Sequence, residues 1–428
     1  MIIVGEFHLT IKKTNYKQMK INHSIVTLLI LQCMALFQSC TQSEYMIEPV
    51  GEKVPYTEEK KSITDELSAS KMTLFLSAFE KSNLPDSLKN WENAPLTIFV
   101  PSDDAFEKVG LNKEAIDKMS AKQLDTLLLY HCMVTRFDTS AVKYTAGNIK
   151  ITTKLNNPNL RTGWNTPYSY LHYVAINNNN LWINGKLSGT YHVQKTKEAD
   201  IIYINRFLIK PTQDMWTILD ADGRFSLFLK IIKANDLAYS TKSFNDAKMQ
   251  FTLAVNPTAE YYQANINLLS LFAPTDEAFI KAGYGDIENL RKLNDKNISN
   301  VGKYLYYKNG APYDYRIFLK SDSILSYHSW AVRYYPTQNL SKPNATIFFS
   351  NELNNDRLAN YVIYPYLSTS VPEYACPFVF SQREDGKTQI KLKNARESDE
   401  AATIIESDIM TLNGPIHVVD RLFIPQDF

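Results

Sequence analysis

Two stretches of the chain carry the same order of apolar, turn and acidic positions. Thr97 to Phe106 reads TIFVPSDDAF and Ser270 to Phe279 reads SLFAPTDEAF, and the two align without a gap. In each, an apolar run predicts a short buried strand: Leu96, Ile98 and Val100 in the first, Leu269, Leu271 and Ala273 in the second. Pro101 or Pro274 ends the strand, because proline has no N–H to give to a ladder. Ser102 and Thr275 then stand as helix N-caps, and Asp103, Asp104, Asp276 and Glu277 put negative charge at the positive end of the helix dipole. Phe106 and Phe279 return each helix to the core. The acids read as helix starters rather than as a catalytic carboxylate pair, since neighbouring acids at a helix start seldom converge on one substrate.

A second repeated element closes each unit. The chain ends with SDIMTLNGPIHVVDRLFIP, Ser407 to Pro425, in which Asn413-Gly414 predicts a hairpin turn and Ile416, Val418 and Leu422 are apolar strand positions. A worn earlier copy is ADIIYINRFLIKP, Ala199 to Pro211, which lacks the Asn-Gly turn. It places Tyr203 and Asn205 about where the later copy has His417 and Asp420.

The strand, PTDEAF and helix phrase, taken with the terminal NG-x-IHVVD strand, resembles the fasciclin domain. Leu127-Leu128-Leu129-Tyr130-His131 is similar to the family's LL-YH segment. Ile183-Asn184-Gly185 and, less closely, Leu392-Lys393-Asn394-Ala395 resemble its VNGA strand. The motif residues are then Thr97, Phe99, Pro101, Ser102, Asp103, Phe106, Tyr130 and His131 in the first copy. In the second they are Phe272, Pro274, Thr275, Asp276, Phe279, Asn413, Gly414, His417 and Asp420. The resemblance implies an α+β fold of two tandem fasciclin-like modules, residues 62–212 and 213–428, each a twisted β-wedge with packed helices. In the family, contact surfaces are associated with the helical YH region, which carries over here to Tyr130 and His131.

Within the first module, Ser120-Ala121-Lys122-Gln123 predicts a capping box, with Leu124, Leu127 and Leu128 on one helical face. His131 ends that helix, where its interaction with the dipole gives it a structural role. Tyr170, Tyr173 and Ile176 lead into Asn177 to Asn180 and then Leu181-Trp182-Ile183, a hairpin with an asparagine tip. The second module is longer. Its landmark prolines, Pro274 and Pro425, lie 151 positions apart against 110 for Pro101 and Pro211, about 41 more. Much of that middle is aromatic, including Tyr304, Tyr306, Tyr307, Tyr315, Tyr327 and Trp330, mostly as cross-strand packing. Trp164, Trp182, Tyr315 and Trp330 are the candidate contact surface, because exposed Tyr and Trp give large rigid contact area with a polar handle.

Composition narrows the function classes. The 428 residues are 44% hydrophobic and 21% charged, with a net charge of +1, so no electrostatic footprint for nucleic acid is present. Lys17 and Lys20 precede an apolar run of 13 residues, Ile25 to Phe37, too short for a span but suited to a signal peptide over residues 1–39, with Met19 as an alternative start. Ser39-Cys40 resembles a bacterial lipobox, which implies lipidation at Cys40 and a polar tether over residues 40–61. The expected location is the cell envelope, lipid-anchored at the outer membrane of a Gram-negative bacterium. Cys33 leaves with the signal, so Cys132 and Cys376 remain. They read as two separate buried thiols, although an exported pair permits a disulfide.

No G-x-S-x-G, P-loop, G-x-G-x-x-G or metal-ligand spacing is present, and neither cofactor nor metal is expected. His417 and Asp420, three apart on a strand, face opposite ways and make a poor dyad. Three functions stand at this point: an envelope adhesion or protein-interaction lipoprotein that is not an enzyme; a glycan-binding accessory lipoprotein of a surface polysaccharide uptake system; and a hydrolase, which has no visible nucleophile. The partners expected are the membrane, through Cys40, and an envelope protein or glycan.

Overall fold

The computed structural model describes residues 60–89, 96–137, 139–144, 147–162, 166–240, 253–254, 268–294, 319–329, 347–359, 362–363 and 374–426. The signal segment, Cys40 and the tether lie outside these, as do Trp164, Tyr315 and Trp330 and most of the aromatic stretch of the second module.

The first module begins with α1 (Ile63–Ala69), α2 (Thr73–Lys81) and α3 (Leu84–Lys89), then β1 (Thr97–Pro101). After it come α4 (Asp103–Glu107), α5 (Lys113–Lys118), α6 (Ala121–His131), β2 (Cys132–Met133) and α7 (Thr139–Tyr144). The strands β3 (Ile149–Thr162), β4 (Thr166–Asn177), β5 (Asn180–Ile183), β6 (Lys186–Thr190), β7 (Val193–Lys195) and β8 (Asp200–Ile204) complete it. All eight strands form one sheet in the order β6-β5-β4-β3-β2-β1-β8-β7.

The central pair, β1 and β8, is parallel, with Phe99 opposite Ile202 and Val100 opposite Tyr203. Both faces are covered, as apolar parallel strands require. Ile98, Val100 and Ile201 face a core built from α1, α2 and α6, while Phe99, Ile202 and Ile204 face a second core against β3, β4 and β5. The capping box forms as its spacing predicts: Ser120 Oγ accepts from Gln123 N–H and the Gln123 side chain accepts from Ser120 N–H. The asparagine tip also forms, with Asn178 and Asn179 both at positive φ in the two-residue β4–β5 turn.

The second module repeats the core of this plan. It contains α8 (Met215–Ala221), α9 (Ser226–Ser240), β9 (Leu271–Pro274), α10 (Asp276–Lys281), α11 (Ile287–Asn294), α12 (Lys320–His328) and α13 (Asn355–Leu358). Its strands continue with β10 (Val362–Ile363), β11 (Tyr374–Ala375), β12 (Phe378–Gln382), β13 (Thr388–Leu392), β14 (Ala402–Thr411) and β15 (Gly414–Val419). The order β12-β13-β14-β15-β9 ends in a parallel pair, β15 with β9, that matches β8 with β1.

The strand pairing corrects the alignment of the closing segments. Phe272 lies opposite His417 and Pro274 opposite Val419, as Phe99 lies opposite Ile202 and Pro101 opposite Ile204. Tyr203 therefore corresponds to Val418, and the counterpart of His417 is Ile202; Asn205 does correspond to Asp420. Aligning on the prolines Pro211 and Pro425 misplaces the strand by one residue. The same register puts Thr196 at Thr411, and the two do the same work: Thr196 Oγ1 donates to the Ala199 carbonyl at 2.6 Å and Thr411 Oγ1 to the Gly414 carbonyl at 2.7 Å. The earlier hairpin is thus structurally intact without its Asn-Gly. In the later one the two loop residues are Leu412 and Asn413, and Gly414 already pairs with Thr411. The two VNGA-like pieces also part ways: Asn184-Gly185 form the β5–β6 turn, whereas Leu392 ends β13 and Lys393-Asn394 follow as a turn.

Residues 60–428 make one compact unit, and the modules meet over a buried seam. The Leu412 side chain enters the first module's core, and the Tyr168 hydroxyl donates to the Leu412 carbonyl at 3.1 Å. Tyr173 packs on Phe349 with ring centroids 5.2 Å apart. The Glu352 carboxylate, 4% exposed, accepts from the Asn148 backbone N–H at 2.8 Å and from its side-chain amide at 2.7 Å. Gly185 is held at φ +76, and a Cβ there would come within 2.5 Å of the Asp408 carboxyl carbon. The short junction from Pro211 to Trp216 is tied in as well: Gln213 gives its carbonyl to Leu412 N–H and Met215 N–H donates to Asn413 Oδ1.

Candidate functional site

Each repeated acid phrase is divided between two tasks. Ser102 and Thr275 cap their own helices, accepting from Ala105 and Ala278 N–H at 3.3 and 3.2 Å. The first acid reaches a different helix. Asp103 accepts from Thr73 N–H, Thr73 Oγ1 and Leu74 N–H at 3.1, 2.6 and 2.9 Å, which caps α2, a helix with no side-chain cap of its own. Asp276 does the same for α9 through Ser226 Oγ and Leu227 N–H, both at 2.7 Å. The second acids, Asp104 and Glu277, are exposed. The phrase is a helix-capping device in both modules, and its carboxylates do not converge.

The four buried histidines, His131, His172, His328 and His417, are likewise committed. His131 donates through Nδ1 to the Leu127 carbonyl at 2.9 Å and accepts at Nε2 from Leu208 N–H at 3.2 Å. His172 donates through Nε2 to the Tyr130 carbonyl and accepts at Nδ1 from the Asn184 amide. Burial pushes His131 down to about 3 and His172 down to about 4, so both rings are neutral. His131 therefore does not act as a charged partner of the α6 dipole, although its role is structural. Tyr130 and His131 are 1% and 0% exposed, so this YH pair packs the core and offers no contact surface. The second module has its own YH pair, Tyr327-His328 at the end of α12, which its spacing after Ile324 and Leu325 could have disclosed. His328 is pushed down to about 3 by burial.

His417 and Asp420 do not meet. Asp420 accepts from Thr403 N–H at 2.6 Å, whereas His417 donates through Nε2 to the Phe348 carbonyl at 2.9 Å. The nearest carboxylate to His417 is Asp408, 3.9 Å from Nδ1, and both groups are buried. With its nitrogens occupied and no solvent access, that ring is placed for structure. Thr97, on β1, accepts from Phe137 N–H at 3.0 Å, and Phe99, Phe106, Phe272 and Phe279 fill the cores. Cys132 and Cys376 are free and buried in separate cores. Among the described residues no three His, Cys, Asp or Glu side chains converge to hold a metal, and no helix is long and apolar enough to cross a membrane.

One of the candidate contact residues does line a cleft. A hollow of about 470 Å³ opens at the seam, with Ala175, Ile176, Asn177 and Trp182 of the β4–β5 hairpin on one side. Asn351, Glu352, Asn354, Asp356 and Arg357 of the second module face them, and Lys143 of α7 stands at the edge. Trp182 is half-buried and lies opposite Ala175 in the ladder. Burial raises the Glu352 carboxyl, while hydrogen bonds from Asn148 and Phe349 N–H and the Arg357 cation, 3.7 Å away, oppose the rise. These seam residues were not legible in sequence, since Asn148 and Glu352 are 204 positions apart.

Comparison with known proteins follows the same lines. The Fasciclin domain model matches residues 70–210. Among solved structures, the FAS1 domain pair of the insect cell adhesion molecule fasciclin I is similar at 13% identity, covering 84% of this chain and 99% of that one, with a TM-score of 0.30, too low to carry weight. Comparison with curated proteins returns no match. Residues 70–210 thus match the fasciclin domain, and the second module repeats its parallel strand pair, acid-capped helices and buried YH pair.

Proposed function

We propose that this chain is an adhesion or protein-interaction protein of the cell envelope, held to the outer membrane by lipid on Cys40 and presenting its two modules as one body. The observation that carries the reading is the fasciclin domain at residues 70–210, since such domains generally serve adhesion or protein interaction. Two further observations support it. The buried histidines and the first acids of the repeated phrase are engaged in structural hydrogen bonds, and the seam between modules is buried and hydrogen-bonded, as suits a rigid platform. Anchoring is supported by the apolar run before Ser39-Cys40.

The test uses the full chain. Expressed in cells fed labelled palmitate, it incorporates label that Cys40→Ser abolishes. Liposomes carrying it bind envelope vesicles of the source organism above the level of bare liposomes. Label that survives Cys40→Ser removes the anchor, and binding no better than bare liposomes removes the adhesion role.

A further inference from the structure

We propose that the cleft at the module seam is a binding site for a neutral saccharide, with Trp182 as its stacking platform and the asparagines of the opposite wall as its hydroxyl partners. The cleft volume, about 470 Å³, lies within the usual range for small-ligand sites, roughly 300–1,000 Å³. Its two sides differ in character. The hairpin side is apolar apart from Asn177 at its rim, and the residue paired with Trp182 is Ala175, too small to cover the indole face. A sugar ring has an apolar C–H face suited to such a surface, while a half-buried indole offers it large rigid area.

The opposite side supplies groups that both give and accept. Asn354 Oδ1 is taken by the Arg357 backbone N–H at 2.9 Å, which fixes the amide and leaves its NH₂ as a donor. Asn351 exchanges hydrogen bonds with Asn148, at 2.9 and 3.2 Å, and is fixed in the same way. Exposed Asn177 and Asp356 add acceptors at the rim. Such a mixture matches vicinal hydroxyls.

Charge decides between neutral and ionic ligands. Two cations, Lys143 and Arg357, stand against two acids, Glu352 and Asp356, and the Arg357–Glu352 pair is already made. The balance leaves no net charge for an anionic or cationic ligand to seek. A peptide is disfavoured for a different reason. The strands β4 and β5 under the cleft each have neighbours on both sides, so no strand edge is open for an added chain. Because the seam is packed, the two walls are held in place before a ligand arrives, which lowers the ordering cost of binding.

The inference is separate from the proposed adhesion role, and either can fail alone. The experiment is calorimetric titration of the full chain in detergent micelles with cellotriose, galactotriose and N,N′-diacetylchitobiose, with trigalacturonate as the acidic counterpart. At least one neutral probe is expected to bind, and Trp182→Ala to weaken it about tenfold or more, equal to roughly 1.4 kcal/mol. Should Trp182→Ala fail to fold, Asn177→Ala, at an exposed tip, is expected to weaken the same probe at least threefold. Binding of none of the neutral probes overturns the proposal. So does binding of trigalacturonate alone, or neutral binding that Trp182→Ala and Asn177→Ala leave unchanged. The liposome assay reads the adhesion role independently.

Discussion

The imidazole Nε2 of His131 accepts a hydrogen bond from the backbone N–H of Leu208 at 3.2 Å. Leu208 lies four residues beyond Ile204, which faces Pro101 in the central strand pair. In the second module Phe423 lies four residues beyond Val419, which faces Pro274, and its N–H donates to His328 Nε2 at 3.1 Å. One imidazole at the end of a helix thus satisfies the chain as it leaves the final strand, twice. An acceptor is required in that place, so the ring must stay unprotonated at Nε2.

Acid sensitivity follows from that requirement. Burial pushes His131 and His328 down to about 3 and His172 to about 4 from an ordinary 6.5. Between about pH 6.5 and 4 the unfolded chain binds a proton at each ring and the folded chain does not, so stability falls as pH falls, and levels off below the folded values. Each ring contributes about 1.4 kcal/mol per pH unit in that window. Glu352 opposes this, because burial raises its carboxyl and acid relieves the strain of its ionisation, but it is one group against four, since burial lowers His417 as well. Urea midpoints are expected to drop steeply from pH 6.5 to 5, with a smaller drop in His131→Gln. A midpoint constant over that interval contradicts the neutral, buried histidines.

The divided task of the acid phrase gives an asymmetric mutational pattern. Asp103→Ala removes three hydrogen bonds to the start of α2, and Asp276→Ala removes two to the start of α9. Each is expected to cost about 1–2 kcal/mol, the scale of losing an N-cap. Asp104→Ala and Glu277→Ala, at exposed positions, are expected to cost less than about 0.5 kcal/mol. Denaturant titration of the four variants decides the matter, and equal losses at Asp103 and Asp104 contradict the geometry.

What the sequence disclosed and what it hid differ by range. The alternation of Ile98 and Val100 with Phe99 made a buried strand legible, and proline then Ser102 made its end and the next helix legible, because those signals lie within ten residues. The partner of Asp103, thirty residues back at Thr73, was not local. A signal for it existed: Thr73-Leu74-Phe75-Leu76 recurs as Ser226-Leu227-Phe228-Leu229, the two helix starts that the repeated acids cap. The register of the closing strands is set by the ladder opposite Phe99 and Phe272, far away in sequence, and not by anything within the closing segments themselves. At the seam, Trp182 could be picked out as a large aromatic after a turn, but the facing wall comes from residues about 170 positions later and carries no pattern of its own.

The two cysteines of the folded unit are expected to be inert. Burial pushes the Cys132 thiol up to about 12 and the Cys376 thiol up to about 11, and each lies in a different core. Thiolate, the reactive form, is then scarce at neutral pH. Iodoacetamide applied to the native chain at pH 7.5 is expected to leave both peptides unmodified by mass spectrometry, and both labelled after denaturation. A peptide linking Cys132 to Cys376 in the non-reduced digest contradicts the free thiols.

Two glycines with the same backbone and different surroundings isolate the strength of the seam. Gly110 and Gly185 sit at φ +78 and +76, and any side chain at such a φ costs roughly 1–2 kcal/mol. A Cβ at Gly110 meets nothing within 4 Å, whereas at Gly185 it meets the Asp408 carboxyl group at 2.5–2.7 Å. That carboxylate cannot step aside freely, because it accepts from Ser350 N–H at 2.8 Å and from the Ser350 hydroxyl. Gly110→Ala is therefore expected to lower stability by the backbone cost alone. Gly185→Ala adds the loss of the seam contact, for a total at least about 2 kcal/mol larger, on the scale of disrupting a buried hydrogen-bonded charge. If the modules depend on one another through the seam, the variant also separates one thermal transition into two by calorimetry. Equal losses in the two variants, each with a single transition, would mean that the Gly185–Asp408 contact does not couple the modules.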